Sequence, residues 1–183
     1  MTSTTDIELL SKLQNGDSRS LGELYERYKG PLYAFCLHML RDGAKAEDAV
    51  HDTFVKVARQ AYTLTHAGAF RGWLFQIARN ETLMILRKTQ PVHIEDEEDV
   101  WESQTPLTLL EGNERTEVVR TTLLSLKVHH REVLLLREFE GMSYSDIAAI
   151  TGSTESTVKS RIFHARRALA EKLAPLIYDG RKS

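Results

Sequence analysis

Apolar side chains recur along most of the chain at helical spacing, in steps of three and four. Between 21 and 40 the recurring set is Leu21, Leu24, Tyr25, Tyr28, Leu32 and Phe35, with Gly30-Pro31 inside it as an expected break or kink. Between 44 and 61 the set Ala46, Ala49, Val50, Thr53, Phe54 and Val57 follows an i, i+3, i+4, i+7 pattern. That is one buried stripe of an amphipathic helix, and its other face carries Glu47, Asp48, His51, Asp52 and Arg59. Residues 62–68 read as a loop, and 70–87 as a long helix rich in aromatics. Four further helices are expected near 116–126, 131–140, 144–150 and 155–173. Gly141 ends one of them, and Ser143 followed by Asp146 is a capping-box-like start for the next. No strand-like alternation and no repeat of solenoid period is present, so the expected class is all-α.

Charge divides the chain in three. Residues 1–90 carry twelve basic and ten acidic side chains, net +2. Residues 91–120 carry two and nine, net -7, and 121–183 carry ten and seven, net +3. The overall net charge of -2 argues against a nucleic-acid binder when taken as a mean, but it hides two mildly basic blocks on either side of an acidic one. The run Glu95-Asp96-Glu97-Glu98-Asp99, lying between Pro91 and Pro106, repels itself and reads as a flexible linker. The expected organisation is therefore two small helical domains, 1–90 and 116–183, joined by an acidic linker at 91–115. A single cysteine, Cys36, excludes an internal disulfide framework and a multi-cysteine metal site. Neither a membrane-spanning apolar run nor a secretory leader is evident, so a cytoplasmic location without membrane insertion is expected.

The strongest local motif lies within 144–163. A DNA-reading helix-turn-helix needs a small residue in its first helix, a glycine in the tight turn and an aliphatic residue sealing the second helix. Ala148, Gly152 and Val158 stand at those spacings, flanked by Ile147 and Ile150. At about 100° per residue, Ile162, Ala165 and Leu169 fall on the same side as Val158. The opposite face holds Ser156, Ser160, Phe163, His164 and Arg167, with Lys159, Arg161 and Arg166 on its flanks, and no acid occurs from Ser156 to Ala170. Short polar groups at a groove floor, with cations reaching phosphates on either side, suit major-groove readout.

Two stretches together resemble the sigma-70 family of bacterial transcription initiation factors, in its small extracytoplasmic-function (ECF) group. Ala46-Glu47-Asp48-Ala49-Val50-His51-Asp52-Thr53-Phe54-Val55-Lys56-Val57, followed by Phe70-Arg71-Gly72-Trp73-Leu74-Phe75-Gln76-Ile77-Ala78-Arg79-Asn80, is similar to the family's region 2 helical bundle. Residues 134–169, with Gly141-Met142-Ser143-Tyr144-Ser145-Asp146-Ile147-Ala148 and Thr157-Val158-Lys159-Ser160-Arg161-Ile162, are similar to its region 4 helix-turn-helix.

The resemblance implies a role for each part. Asp48, His51, Asp52 and Phe54 would bind core RNA polymerase. Phe70, Arg71, Trp73, Arg79, Asn80, Arg87 and Lys88 would capture unpaired bases of the promoter –10 element, a task that needs π-faces and cations. Ser156, Lys159, Ser160, Arg161, Phe163, His164, Arg166 and Arg167 would read the –35 element as duplex. An inhibitory anti-sigma factor is the further partner implied, with no cofactor, no metal and no small-molecule substrate. The sequence departs from the family pattern at several points. His51 replaces a common glutamine, Ser156 a glycine, His164 a common arginine and Lys127 a proline, and Met84 stands in place of an acid.

Two rival readings are weaker. An enzyme would need a catalytic constellation, and the seven histidines form no His-Glu-x-x-His, nor does the chain hold a Walker loop or a Gly-x-Ser-x-Gly elbow. A helix-turn-helix regulator that never touches polymerase would have no use for the pattern at 46–80.

Overall fold

The computed structural model describes residues 4–89 and 114–179, so the predicted linker lies outside the described residues except at 114 and 115. Among the described residues the chain forms eight α-helices and no strand, and it divides into two compact units. No described helix is long and apolar enough to cross a membrane.

The first unit contains α1 (Asp6–Gln14), α2 (Ser18–Leu40), α3 (Gly43–Gln60) and α4 (Phe70–Thr89). Apolar spacing gave no sign of α1, whose start is fixed by a reciprocal cap. The Glu8 amide donates to Thr5 Oγ1 at 3.3 Å, and the Thr5 amide donates to the Glu8 carboxylate at 2.8 Å. Leu9 and Leu10 bury the inner side of α1, and Asp6 accepts hydrogen bonds from Arg27 and Tyr28 of α2. α2 runs unbroken through Pro31, against the expected break. Proline removes one amide donor, but Gly30 and Pro31 both face solvent, where water replaces the missing partner. Tyr28, Leu32 and Phe35 are buried on either side and hold the helix to the core.

The stripe expected on α3 is buried as a whole, from Ala46 to Val57. α3 packs on α4, whose Leu74, Phe75 and Ala78 are buried, in a core that also holds edge-to-face rings of α2 and α4: Tyr28 with Phe70 at 5.8 Å and Phe35 with Phe75 at 5.8 Å. Glu81 is the buried acid of α4, and the Lys56 ammonium of α3 satisfies it while remaining partly exposed.

The C-terminal half of the described chain forms α5 (Glu114–Leu124), α6 (Val128–Leu134), α7 (Tyr144–Thr151) and α8 (Glu155–Asp179). α6 continues into a π-helical turn at Leu135–Phe139. In this stretch the four consecutive residues Val133, Leu134, Leu135 and Leu136 are all buried, more than one face of a regular helix hides. Gly141, at φ +64°, lets the Met142 amide reach back to the Leu136 carbonyl at 3.0 Å. α7 starts at the expected cap, with Ser143 and Asp146 each donating a backbone amide to the other's side chain at 3.1 Å.

The turn into α8 passes through Gly152 at φ +65°. A Cβ placed there would have nothing within 4 Å, so the requirement is conformational and not steric crowding. Gly152→Ala is expected to cost the helix-turn-helix about 1 kcal/mol. The measurement is hydrogen exchange of α7 and α8 amides, in which Gly152→Asn, more tolerant of this backbone region, should lose less protection.

Candidate functional site

α8 separates its two faces as helical arithmetic requires. Val158, Ile162 and Ala165 are buried, and Leu169 is half-buried. Ser156, Ser160, Phe163, His164 and Arg167 are exposed, with Lys159 and Arg166 exposed on one flank and Arg161 half-buried on the other. Phe163 is 63% exposed, and its ring meets His164 edge-on at 5.4 Å. An aromatic of that size in water contributes nothing to the core.

Tyr144, Lys159, Ile162, Phe163, Arg166 and Arg167 line a shallow groove beside this face. Two cations approach the Tyr144 ring, Arg137 at 4.8 Å and Lys159 at 5.8 Å from its centroid. Neither Tyr144 nor Arg137 was singled out from the sequence, because their partnership spans a helix break that periodicity does not see. Arg166 is held by Glu138, which accepts from its Nη2 at 2.5 Å and its Nε at 3.0 Å, and this pairing raises the guanidinium pKa further. Arg167 makes only an exposed i, i+4 pair with Glu171, worth a few tenths of a kcal/mol and readily exchanged for a phosphate.

In the first unit the residues expected to capture bases do not all share a surface. Phe70 is fully buried against Tyr28 and is a core residue; a base platform needs a free ring face, so this expectation is corrected. Trp73 is half-buried with its ring tilted against Phe70, while Asn80, Arg87 and Lys88 are exposed. At about 100° per residue, Trp73, Gln76, Asn80 and Arg87 fall on one stripe of α4. Gln76 joins the expected residues on this stripe, although a lone exposed glutamine carries no spacing signal. Arg71 and Arg79 are half-buried, and the Arg71 guanidinium sits over the Phe75 ring at 5.7 Å.

The segment before α4, expected as a loop, holds Tyr62, 75% exposed and so a free aromatic face. Gln14 of α1 fixes this segment by donating its amide hydrogens to the carbonyls of Ala61 at 2.8 Å and Leu64 at 2.9 Å.

On α3, Asp48, His51 and Asp52 form one exposed face. Phe54 is turned inward, only 6% exposed, and stacks edge-on against Tyr25 at 5.0 Å, so it offers an edge and not a ring face to a partner. Leu21, Tyr25, His51, Phe54, Val55 and Ala58 line a groove between α2 and α3. Tyr25, assigned by its spacing to the core, is 39% exposed at the rim of that groove.

Comparison with known proteins gives this arrangement its family. The model for Sigma-70 region 2 matches residues 24–92, and that for Sigma-70, region 4 matches 116–169. The chain is 32% identical to the RNA polymerase sigma-H factor of Pseudomonas aeruginosa, in an alignment covering 98% of this chain and 99% of that one. It is 31% identical to the ECF RNA polymerase sigma-E factor of Escherichia coli K12, over 94% and 96% of the two chains. Among solved structures it is similar to the sigma factor RpoE of Bartonella quintana, co-crystallised with the anti-sigma factor NepR. That match has 29% identity and a TM-score of 0.66 and covers 84% of this chain and 96% of that one. It is also similar to CnrH, solved in complex with the cytosolic domain of CnrY, with 26% identity and a TM-score of 0.71 over 93% and 97%. With both regions matched in order and relatives aligned almost end to end, the chain belongs to the sigma-70 family of RNA polymerase sigma factors, in its extracytoplasmic-function group.

Proposed function

We propose that this sigma factor divides its work along the chain: residues 1–90 bind core RNA polymerase and the –10 element, 91–115 link, and 116–183 bind the –35 element. In this reading Asp48, His51 and Asp52 dock on polymerase beside the groove between α2 and α3. Trp73, Asn80, Arg87 and Lys88, with Arg71 and Arg79 near them, hold unpaired –10 bases. α8 lies in the major groove with Ser156, Ser160, Phe163 and His164 toward base edges and Lys159, Arg161, Arg166 and Arg167 toward phosphates. The observation that carries it is the face of α8, which is exposed, free of acids and centred on an aromatic that the fold leaves in water.

The anti-sigma complexes of the structural relatives support an inhibitory partner of the same kind here. A cytoplasmic site of action fits a polymerase subunit, and so does a chain that performs no chemistry of its own. The buried Cys36 thiol supports the latter, because burial pushes its pKa up to about 11 and keeps it from serving as a nucleophile at neutral pH.

Run-off transcription on genomic fragments with purified core polymerase tests the whole reading. New start sites are expected when the chain is added; no new sites, under conditions where a known sigma factor produces them, would refute it. Asp48→Ala, changing an exposed residue, should weaken core binding by about 1 kcal/mol and leave duplex binding untouched. Titration of labelled chain with core enzyme reads the first effect, and a loss of duplex affinity instead would overturn the assignment of α3.

A further inference from the structure

The segment that leads into α4 is held from outside by α1. It contains two short 3-10 turns, Ala61–Thr63 at the end of α3 and Ala67–Ala69 just before Phe70, and α1 packs against both. The last carbonyls of a helix have no partner within it, and at the end of α3 separate groups meet them. Thr63 Oγ1 donates to the Gln60 carbonyl at 2.7 Å, and the Leu64 amide to the Ala61 carbonyl at 3.2 Å. Those two bonds are local. Gln14 adds a long-range pair: its Nε2 uses both hydrogens, one on the Ala61 carbonyl at 2.8 Å and one on the Leu64 carbonyl at 2.9 Å, across 47 and 50 positions of sequence.

α1 is itself firmly seated. Gln14 is its last residue, Leu9 and Leu10 are fully buried, and Asp6 accepts hydrogen bonds from Arg27 and Tyr28 of α2. Ala61 is buried as well, so the backbone on either side of Tyr62 is fixed while the Tyr62 ring is 75% exposed. A tyrosine in water adds little to the core, yet a clamp from a distant helix steadies the turn that presents it. Stacking an unpaired base needs a flat aromatic face and tolerates any of the four bases. A face ordered before the base arrives avoids the entropy of ordering it on binding.

We propose that Gln14 is a positioning residue for promoter opening: through Ala61 and Leu64 it holds the Tyr62 ring as a preordered platform on which an unpaired promoter base stacks. The inference rests on the reading of α4 as the helix that captures –10 bases. It extends that surface to the turn at the end of α3 and to the helix that steadies the turn. Continuity with α4 favours a base over a protein side chain as occupant, because the Tyr62 turn runs into α4 through six residues and α1 packs against both ends of that path.

The test uses holoenzyme assembled from core polymerase and the full chain, with a promoter fragment recovered by run-off transcription as probe. One version is fully paired and kept closed in the cold; the other carries mismatches that leave the –10 bases unpaired. Tyr62→Ala is expected to weaken binding to the unpaired probe about tenfold, the scale of one lost stacking contact, and Tyr62→Phe to preserve it. Gln14→Ala is expected to weaken it about fivefold, and the double variant no more than Tyr62→Ala alone, because the amide acts only through the ring. Gln14→Glu keeps the shape but sets a carboxylate against two carbonyl oxygens, so it should fail as Gln14→Ala does. Gln14→Lys retains a donor and should restore most of the affinity. Binding to the closed, paired probe should stay at the wild-type level throughout. A merely structural Gln14 would instead weaken both probes alike, with losses that add to those of Tyr62→Ala, and that result overturns the proposal. If Trp73→Ala loses the unpaired probe while Tyr62→Ala and Gln14→Ala hold it like the wild type, the platform is wrong and the α4 reading stands. If Tyr62→Ala impairs assembly with core polymerase and not probe binding, the ring serves a protein partner and the proposal falls. A wild-type holoenzyme that shows no preference for the unpaired probe overturns both.

Discussion

Phe70→Ala is expected to destabilise the first unit by about 3–5 kcal/mol, the usual cost of emptying a large buried aromatic site. Phe70 is fully buried, its ring meets Tyr28 edge-on at 5.8 Å, and it opens α4, so the cavity lies where that helix joins the core. A loss of this size consumes much of the stability of a small domain. The measurement is thermal unfolding followed by far-ultraviolet circular dichroism. A variant that melts like the wild type yet fails to open promoters would restore Phe70 to the base-capture surface. Trp73→Ala provides the contrast. Its ring is half-buried, so the loss of stability should be smaller and the loss of promoter opening larger.

Phe70 also marks how far the sequence could be read. The helical class of both blocks, and every helix but α1, follows from spacing, and the α3 stripe and the α8 stripe from Val158 to Ala165 are buried as their periods require. Capping chemistry was equally legible where it was sought: Ser143 and Asp146 make the expected box. The same chemistry at Thr5 and Glu8 marks the start of α1, whose nine residues add too few apolar positions to show a period. Pro31 shows the opposite limit. Local propensity argues for a break, and burial of Tyr28, Leu32 and Phe35 overrides it. For the site, the α8 face read from one helical period is exposed as expected, because a single helix there meets water.

On α3 and α4 the aromatic residues belong to shared surfaces. Whether Phe54, Phe70 or Tyr25 points inward depends on neighbouring helices, which spacing within one helix does not specify. Tyr62 and Gln14 lie further beyond reach, since a loop aromatic and the amide that anchors its loop are 48 positions apart and meet only in the folded chain.

The pair Phe163→Ala and Arg167→Ala is expected to weaken –35 duplex binding by about 3 kcal/mol in combination, with no change in binding to core polymerase. Both side chains are exposed on α8, so neither substitution should shift stability by more than about 0.5 kcal/mol. The two losses should differ in kind. Arg167 is proposed to contact a phosphate, so its removal should weaken binding to every duplex alike and reduce the salt slope by about 1. Phe163 has no charge to release counterions, and its ring suits a thymine methyl, so its removal should leave the salt slope intact and cost most on the preferred sequence. Titration of each variant against the promoter duplex and a scrambled duplex, at two salt concentrations, separates the terms. An equal loss on both duplexes for Phe163→Ala would mean that the ring packs against sugar or backbone. α8 would then bind without reading at that position, and specificity would have to come from Ser156, Ser160 or His164.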